Sequence, residues 1–284
     1  MRVELLTDLS RFAAEVGPFL ARDEARHNLP FGILSTLRDH PEVYPGFRLW
    51  AVEDAGEVVG AALRTPPHHL VLAQPRDGHV IEALVDHLVS AGEAIPGAVA
   101  AEPEIGAFVD AWRARTGARD IVRLRQGVYR LTSVEPIPSM PGGARLADER
   151  DRPLVHAWVA DFLREAMPHE PVGPTVRRMM ETHSGPGRRA GFWVLEDGGE
   201  VVSLAGYGGT TPHGIRIGPV FTPKRLRGRG YATKLVYELS ADLLARGRRF
   251  CFLFTDLANA TSNAIYRRIG YEHVCDAADV SFGP

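Results

Sequence analysis

Fifteen residues, FTPKRLRGRGYATKL (Phe221–Leu235), hold five positive side chains, Lys224, Arg225, Arg227, Arg229 and Lys234, and the glycine pair Gly228 and Gly230. The stretch before them, GIRIGPVF (Gly214–Phe221), has strand character. After them Leu235, Val236, Leu239, Leu243 and Leu244 form a helical stripe that Gly247 ends. A strand-to-helix junction of this composition suits an anion. Backbone N–H groups at a helix start lack intrahelical acceptors, and the helix dipole adds partial positive charge there. Gly228 and Gly230 let a phosphate approach the backbone closely, and the arginines supply charge around it.

Spacing separates three phosphate motifs. Walker A needs G-x-x-x-x-G-K-[ST], but RGYATK follows Gly228. The dinucleotide fingerprint needs Gly or Ala at Thr233 and an acid about 20 residues on, and no acid precedes Asp256 in that region. The third pattern, R-x-x-G-x-G, is met by Arg225, Gly228 and Gly230 and is followed by Tyr231 and Ala232.

On those residues RLRGRGYA (Arg225–Ala232) resembles the pyrophosphate loop of the GNAT superfamily of CoA-dependent N-acyltransferases. NATSNAIYRRIGY (Asn259–Tyr271) resembles the same family's second signature, an Asn followed seven residues later by a Tyr in a helix ending in G-[FY]. Both occur in the family's order. Motif support extends over residues 143–284, whereas residues 1–135 follow the family only in architecture.

The resemblance implies acetyl-CoA or another acyl-CoA as donor; no metal is expected, because the sequence has no H-E-x-x-H or C-x-x-C spacing. The donor's pantetheine would run beside Val220 and Phe221. Its pyrophosphate would sit on Arg225, Arg227, Gly228, Arg229, Gly230, Tyr231, Ala232 and Thr233, with Asn259 and Ser262 as further contacts. The implied reaction is N-acetyl transfer by direct attack of a primary amine of a small molecule or peptide, with Tyr266 protonating the departing thiolate. Pro219 offers no ladder donor and suits a place where neighbouring strands part, as the family's fourth and fifth strands do. Alone, each residue has a plainer reading: an arginine as solvated charge, Asn259 as a helix N-cap, Tyr266 as a packed aromatic.

The base is open. IRIGPVF carries no acid where many family members place one; Asp256, Glu165, His169 and Glu170 are candidates beside water-mediated deprotonation. A non-catalytic CoA-binding regulatory module is the alternative function.

The elements that must position these residues occur twice. WAVEDAGEVVGAA (Trp50–Ala62) and WVLEDGGEVVSLA (Trp193–Ala205) share eight of thirteen positions, and each reads as a hairpin with a tight acidic turn. Each is preceded by two helical stretches, Leu9–Ala25 with Phe31–Arg38 and Glu149–Ala166 with Thr175–Glu181. Each is followed by a helix, a short apolar strand (GAVAAE or RFCFLFTD) and a second helix ending at Gly117 or Gly270. VEPIPSMPGGAR (Val134–Arg145) reads as a linker. The expectation is an α+β chain of two tandem GNAT-like domains, each a mixed, mostly antiparallel sheet flanked by helices.

The first half departs at the site. Ala73 and Pro75 stand opposite Gly228 and Gly230, Asp77 enters near the helix start, and Trp112 falls near the Tyr266 position. Residues 1–135 are expected to be a degenerate domain without the CoA loop, and 143–284 the catalytic domain.

Composition narrows the function classes. Residues 1–135 carry 14 basic and 19 acidic side chains, and residues 136–284 carry 19 and 16. A nucleic-acid binder would be more basic, and no aromatics interleave the basic loop, so no nucleic acid is expected. No apolar run is long enough to span a membrane, the start does not read as a signal peptide, and two cysteines without motif spacing read as buried thiols of a cytoplasmic protein. The oligomeric expectation is a monomer or homodimer.

Overall fold

The computed structural model describes residues 1–183 and 189–283. The chain forms two compact units, Met1–Val128 together with Val274–Pro284, and Tyr129–His273.

In the first unit the sheet runs β1 (Arg2–Leu6), β2 (Arg48–Asp54), β3 (Glu57–Arg64), β4 (Leu70–Leu72), β5 (Gly97–Ala101) and β12 (Glu272–Gly283) in spatial order. All pairings are antiparallel except β4 with β5. One face packs beneath α3 (Gly78–Ser90) and α4 (Glu104–Thr116), where Trp50, Val52, Leu84, Phe108 and Trp112 are buried. The other packs beneath α1 (Leu9–Leu20) and α2 (Asn28–Asp39), where Phe12, Phe19, Leu49 and Ala51 are buried. Alternate residues of β2 thus feed opposite cores, as the two-residue strand period requires. The first helical stretch ends earlier than its sequence pattern, passing into a 3-10 turn at Ala21–Asp23.

The second unit repeats the plan. β7 (Gly143–Leu146), β8 (Gly191–Asp197), β9 (Glu200–Gly208) and β10 (Gly214–Phe221) pair antiparallel, and β10 pairs parallel with β11 (Phe250–Asp256). Here α7 (Tyr231–Ala245) and α8 (Ala260–Ile269) cover one face, with Trp193, Leu195, Leu235, Leu239 and Tyr266 buried. α5 (Arg152–Ala166) and α6 (Val172–Thr182) cover the other, with Trp158, Leu163, Val194 and Leu204 buried. Each fully buried leucine of such a core contributes about 1.5–3 kcal/mol.

The repeat extends to local irregularities. The ladder slips at Val52/Glu53 in one hairpin and at Leu195/Glu196, the aligned residues, in the other. Both turns hold two successive positive φ angles, 51° and 84° at Ala55 and Gly56 and 59° and 83° at Gly198 and Gly199. That geometry matches the right-handed twist of the flanking strands.

Two features differ from the sequence expectation. Gly143–Leu146, at the end of the linker, is a strand on β8 rather than free connection. The boundaries 1–135 and 143–284 place the chain's last strand in the second domain, yet Ala277–Ser281 pair with Ala101–Gly97 of β5, and Ala278, Val280 and Phe282 join the first unit's core. The last residues of β6 (Arg119–Leu131), from Tyr129 on, group conversely with the second unit. Strand partners this distant in sequence leave no local signal. Both thiols, Cys251 and Cys275, are free and buried.

Candidate functional site

β10 carries the site's first element. Its register with β11 covers only Gly214–Arg216 against Phe250–Phe252, although the strands continue to Phe221 and Asp256. Its register with β9 shifts between Ile217 and Val220, at a cis Gly218–Pro219 peptide. From Ile217 onward β10 therefore presents a backbone edge that β11 does not pair. The shift is seated on Gly206 of β9, where a Cβ would lie 2.8 Å from both Gly218 O and Pro219 Cδ. Beyond it Val220 and Phe221 pair with Ala205 and Leu204. Phe221 is buried against Trp158, with ring centroids 5.9 Å apart.

The loop after β10 makes a 3-10 turn at Lys224–Leu226 and enters α7 through Gly230. Gly228 and Gly230 have φ of 80° and 82°, open to glycine and strained for other residues. The first helical hydrogen bond is donated by Lys234 N–H to Gly230 O, and no side chain caps the helix. The N–H groups of Gly228, Arg229, Gly230, Tyr231, Ala232 and Thr233 therefore have no acceptor among the described residues. The loop thus carries an array of open N–H donors.

The side chains divide. Arg225 and Arg229 are exposed and make no ion pair among the described residues. Arg227 does: its guanidinium donates to Thr222 O at 2.8 Å and to Glu165 Oε2 at 2.6 Å, and it lies over the Phe221 ring. Arg227 thus braces the loop, and Glu165, a candidate base, is its partner. Tyr231 is buried and its hydroxyl donates to Asp197 at 2.6 Å, while Thr233 is buried in the helix. These two residues add only backbone N–H groups to the array.

Tyr266 lies in the same core cluster as Ile217, Leu226 and Tyr231, with Val220 packed against it. Its ring meets Tyr271 edge-on at 5.9 Å. Burial pushes its phenol up to about 12, so the group is held as a proton donor at neutral pH. Asn259 is the N-cap of α8, its Oδ1 accepting from Ser262 N–H at 3.0 Å. Of its two sequence readings, the cap is the one seen. Asn263 was missed by sequence reasoning: it is 8% exposed, its Nδ2 is bonded, and its Oδ1 has no partner. Among the other bases, Asp256 is exposed and caps the turn at Ala258, and Glu170 lies 3.4 Å from Thr175 Oγ1. His169 is exposed. His183 stacks on Phe192, and its Nε2 lies 3.4 Å from where Gly208 would carry a Cβ. No group of three or more His, Cys, Asp or Glu is placed to hold a metal among the described residues. No described helix is long and apolar enough to cross a membrane.

The matching stretch of the first unit has most of its donors taken. Ala73 N–H donates to Ala61 O and Arg76 N–H to Val59 O. Asp77 caps α3, accepting from His79 N–H at 3.0 Å. Gln74 N–H donates to Nε2 of the buried His27, whose Nδ1–H donates to Leu20 O. Pro75 has no donor to offer.

Residues 154–271 match the Acetyltransferase (GNAT) family. A stretch of 104 residues is 27% identical to the uncharacterized N-acetyltransferase YjgM of Escherichia coli K12, covering 36% of this chain and 61% of that protein. Among solved structures, a tandem GNAT protein from the clavulanic acid biosynthesis pathway superposes with a TM-score of 0.57 at 15% identity, over 100% of this chain and 99% of that one. A GNAT-family acetyltransferase from Colwellia psychrerythraea does so at 0.59 and 11% identity, over 99% of each. A GCN5-related N-acetyltransferase from Sphaerobacter thermophilus gives 0.58 and 18%, over 99% and 95%. The likenesses to solved structures concern the fold alone, and the GNAT family match covers residues 154–271 of the second unit, whose topology the first unit repeats.

Proposed function

We propose that the second unit transfers an acetyl group from acetyl-CoA to a primary amine of a small molecule or peptide. The observation that carries this reading is the array of open N–H donors from Gly228 to Thr233, flanked by Arg225 and Arg229 and lying beyond a strand that has parted from β11. An array of this kind suits a pyrophosphate. The unpaired edge of Ile217–Phe221 suits the amide-bearing arm that joins the pyrophosphate to the thioester.

The amine nitrogen attacks the thioester carbonyl carbon, and a backbone N–H of Val220 or Phe221 stabilises the oxyanion. Collapse breaks the C–S bond. Tyr266 gives its proton to the leaving thiolate and regains one from solvent, while the new amide sheds its extra proton to water or a nearby base. A phenol pushed up to about 12 by burial stays protonated at neutral pH, as that donor role requires. In the first unit Ala61 O, His27 Nε2 and Val59 O accept the N–H groups of Ala73, Gln74 and Arg76, and Pro75 has none, so we assign it no acyl-CoA site.

Thiol release from acetyl-CoA across polyamines, aminoglycosides, amino acids and peptides tests the activity, with calorimetry giving the stoichiometry. One CoA per chain and amine-dependent release are expected. Binding without release for any amine would leave a regulatory module, and two CoA per chain would contradict the assignment to the second unit alone.

A further inference from the structure

We infer that Asn263 is a donor-binding residue, its side-chain oxygen accepting an amide N–H from the pantetheine arm of the acyl donor. This rests on the proposed use of acetyl-CoA. Asn263 lies one helical turn before Tyr266 on α8, and both are buried. Its Nδ2 donates to Asp256 O at 3.1 Å and Leu257 O at 3.4 Å, where β11 ends. These two carbonyls fix the amide's orientation, since a flipped side chain would set its oxygen against them. The oxygen is thereby turned away from the carbonyls, and it is buried without a hydrogen-bond partner.

A buried acceptor left unpaired is costly, and native proteins keep few of them. Sequence spacing would give the motif's ligand contact to Asn259, but that side chain is used as the cap of α8. Asn263 has the spare acceptor, and it sits at the end of the one strand from which β10 has parted. What it calls for is an N–H donor entering that gap. The pantetheine arm carries two amide N–H groups, whereas the pyrophosphate carries none.

Asn263→Ala removes the acceptor, and Asn263→Ser keeps a short hydroxyl in its place. The released carbonyls belong to exposed residues and can bond to water. Steady-state kinetics and calorimetry with acetyl-CoA, and kinetics with acetyl-pantetheine, which lacks the nucleotide, locate the contact. Asn263→Ala is expected to raise KM about tenfold with kcat nearly unchanged, and by the same factor for both donors, as loss of one ligand hydrogen bond would. Asn263→Ser should lie between. An unchanged KM with both donors, or a loss confined to kcat, overturns the inference, provided far-UV circular dichroism shows each variant folded. Should Asn263→Ala not fold, Asn263→Ser decides by the same readout. A wild-type chain that binds no CoA overturns the proposed function instead.

Discussion

His27 Nε2 accepts the backbone N–H of Gln74 at 3.0 Å, across 47 residues of chain. The second unit leaves the N–H of Arg229, in the corresponding loop, without an acceptor among the described residues. One fold therefore has two loop states: an internal imidazole closes the first, and the second stays open to a ligand.

That imidazole makes the first unit acid-sensitive. Burial, partly opposed by the Leu20 carbonyl and by Asp23 and Glu104, holds the His27 pKa below its ordinary 6.5, and Arg26 lowers it further. The folded state thus favours the neutral ring, and the unfolded chain takes up the proton first as pH falls. Stability from this site is complete above pH 6.5 and is lost progressively below it, until the folded-state pKa is passed. His27→Phe keeps the stacking on Phe19 but loses both hydrogen bonds. Urea melts at pH 7.5 should show a loss of about 1–3 kcal/mol. Melts from pH 7.5 to 5 should show a smaller acid-dependent loss than the wild type, and equal slopes would contradict the role.

Tyr266→Phe keeps the ring against Tyr271 and removes only the proton. Turnover should fall about 10²–10⁴-fold. CoA affinity measured by calorimetry should stay within a factor of two or so. In the wild type, kcat should show no loss from phenol ionisation up to about pH 10, because the group titrates near 12. A normal rate in the variant removes Tyr266 from the mechanism.

Gly206 tests the parted strand. Its Cβ would meet backbone on β10 at 2.8 Å, so Gly206→Ala must push the Gly218–Pro219 bulge aside. Displacement of the thioester's seat by a fraction of an ångström to 1 Å should cost about 10–100-fold in kcat/KM. The same change at Gly173, which meets nothing within 4 Å, is the control. Equal kcat/KM in Gly206→Ala and wild type would mean that the bulge does not place the reacting carbonyl.

Much of this was legible because it is local. The paired hairpins, the helices after them and the glycines of the loop each announce themselves within about fifteen residues. The long-range features left no such trace. Arg227 resembles a ligand contact in sequence, yet its partner Glu165 lies 62 residues upstream. Residues 274–283 read as the second domain's last strand until their pairing with β5 is seen. Asn259 and Asn263 are indistinguishable by type; which one caps the helix and which keeps a spare oxygen depends on where β11 ends.

The two loop glycines should not respond alike to alanine. Both hold φ near 80°, and forcing a Cβ into that region costs about 1–2 kcal/mol. At Gly228 the added carbon meets nothing within 4 Å, so strain is the whole cost. At Gly230 it would also come within 2.6 Å of Met140 Sδ, a linker side chain. Thermal melts should therefore rank Gly230→Ala below Gly228→Ala. Adding Met140→Ala to Gly230→Ala relieves the contact, and the double variant should fall no further than the two single losses require. A double-mutant cycle with zero coupling would show that Met140 simply moves away. Coupling of about 0.5–3 kcal/mol would tie the linker mechanically to the helix start that the pyrophosphate is proposed to occupy.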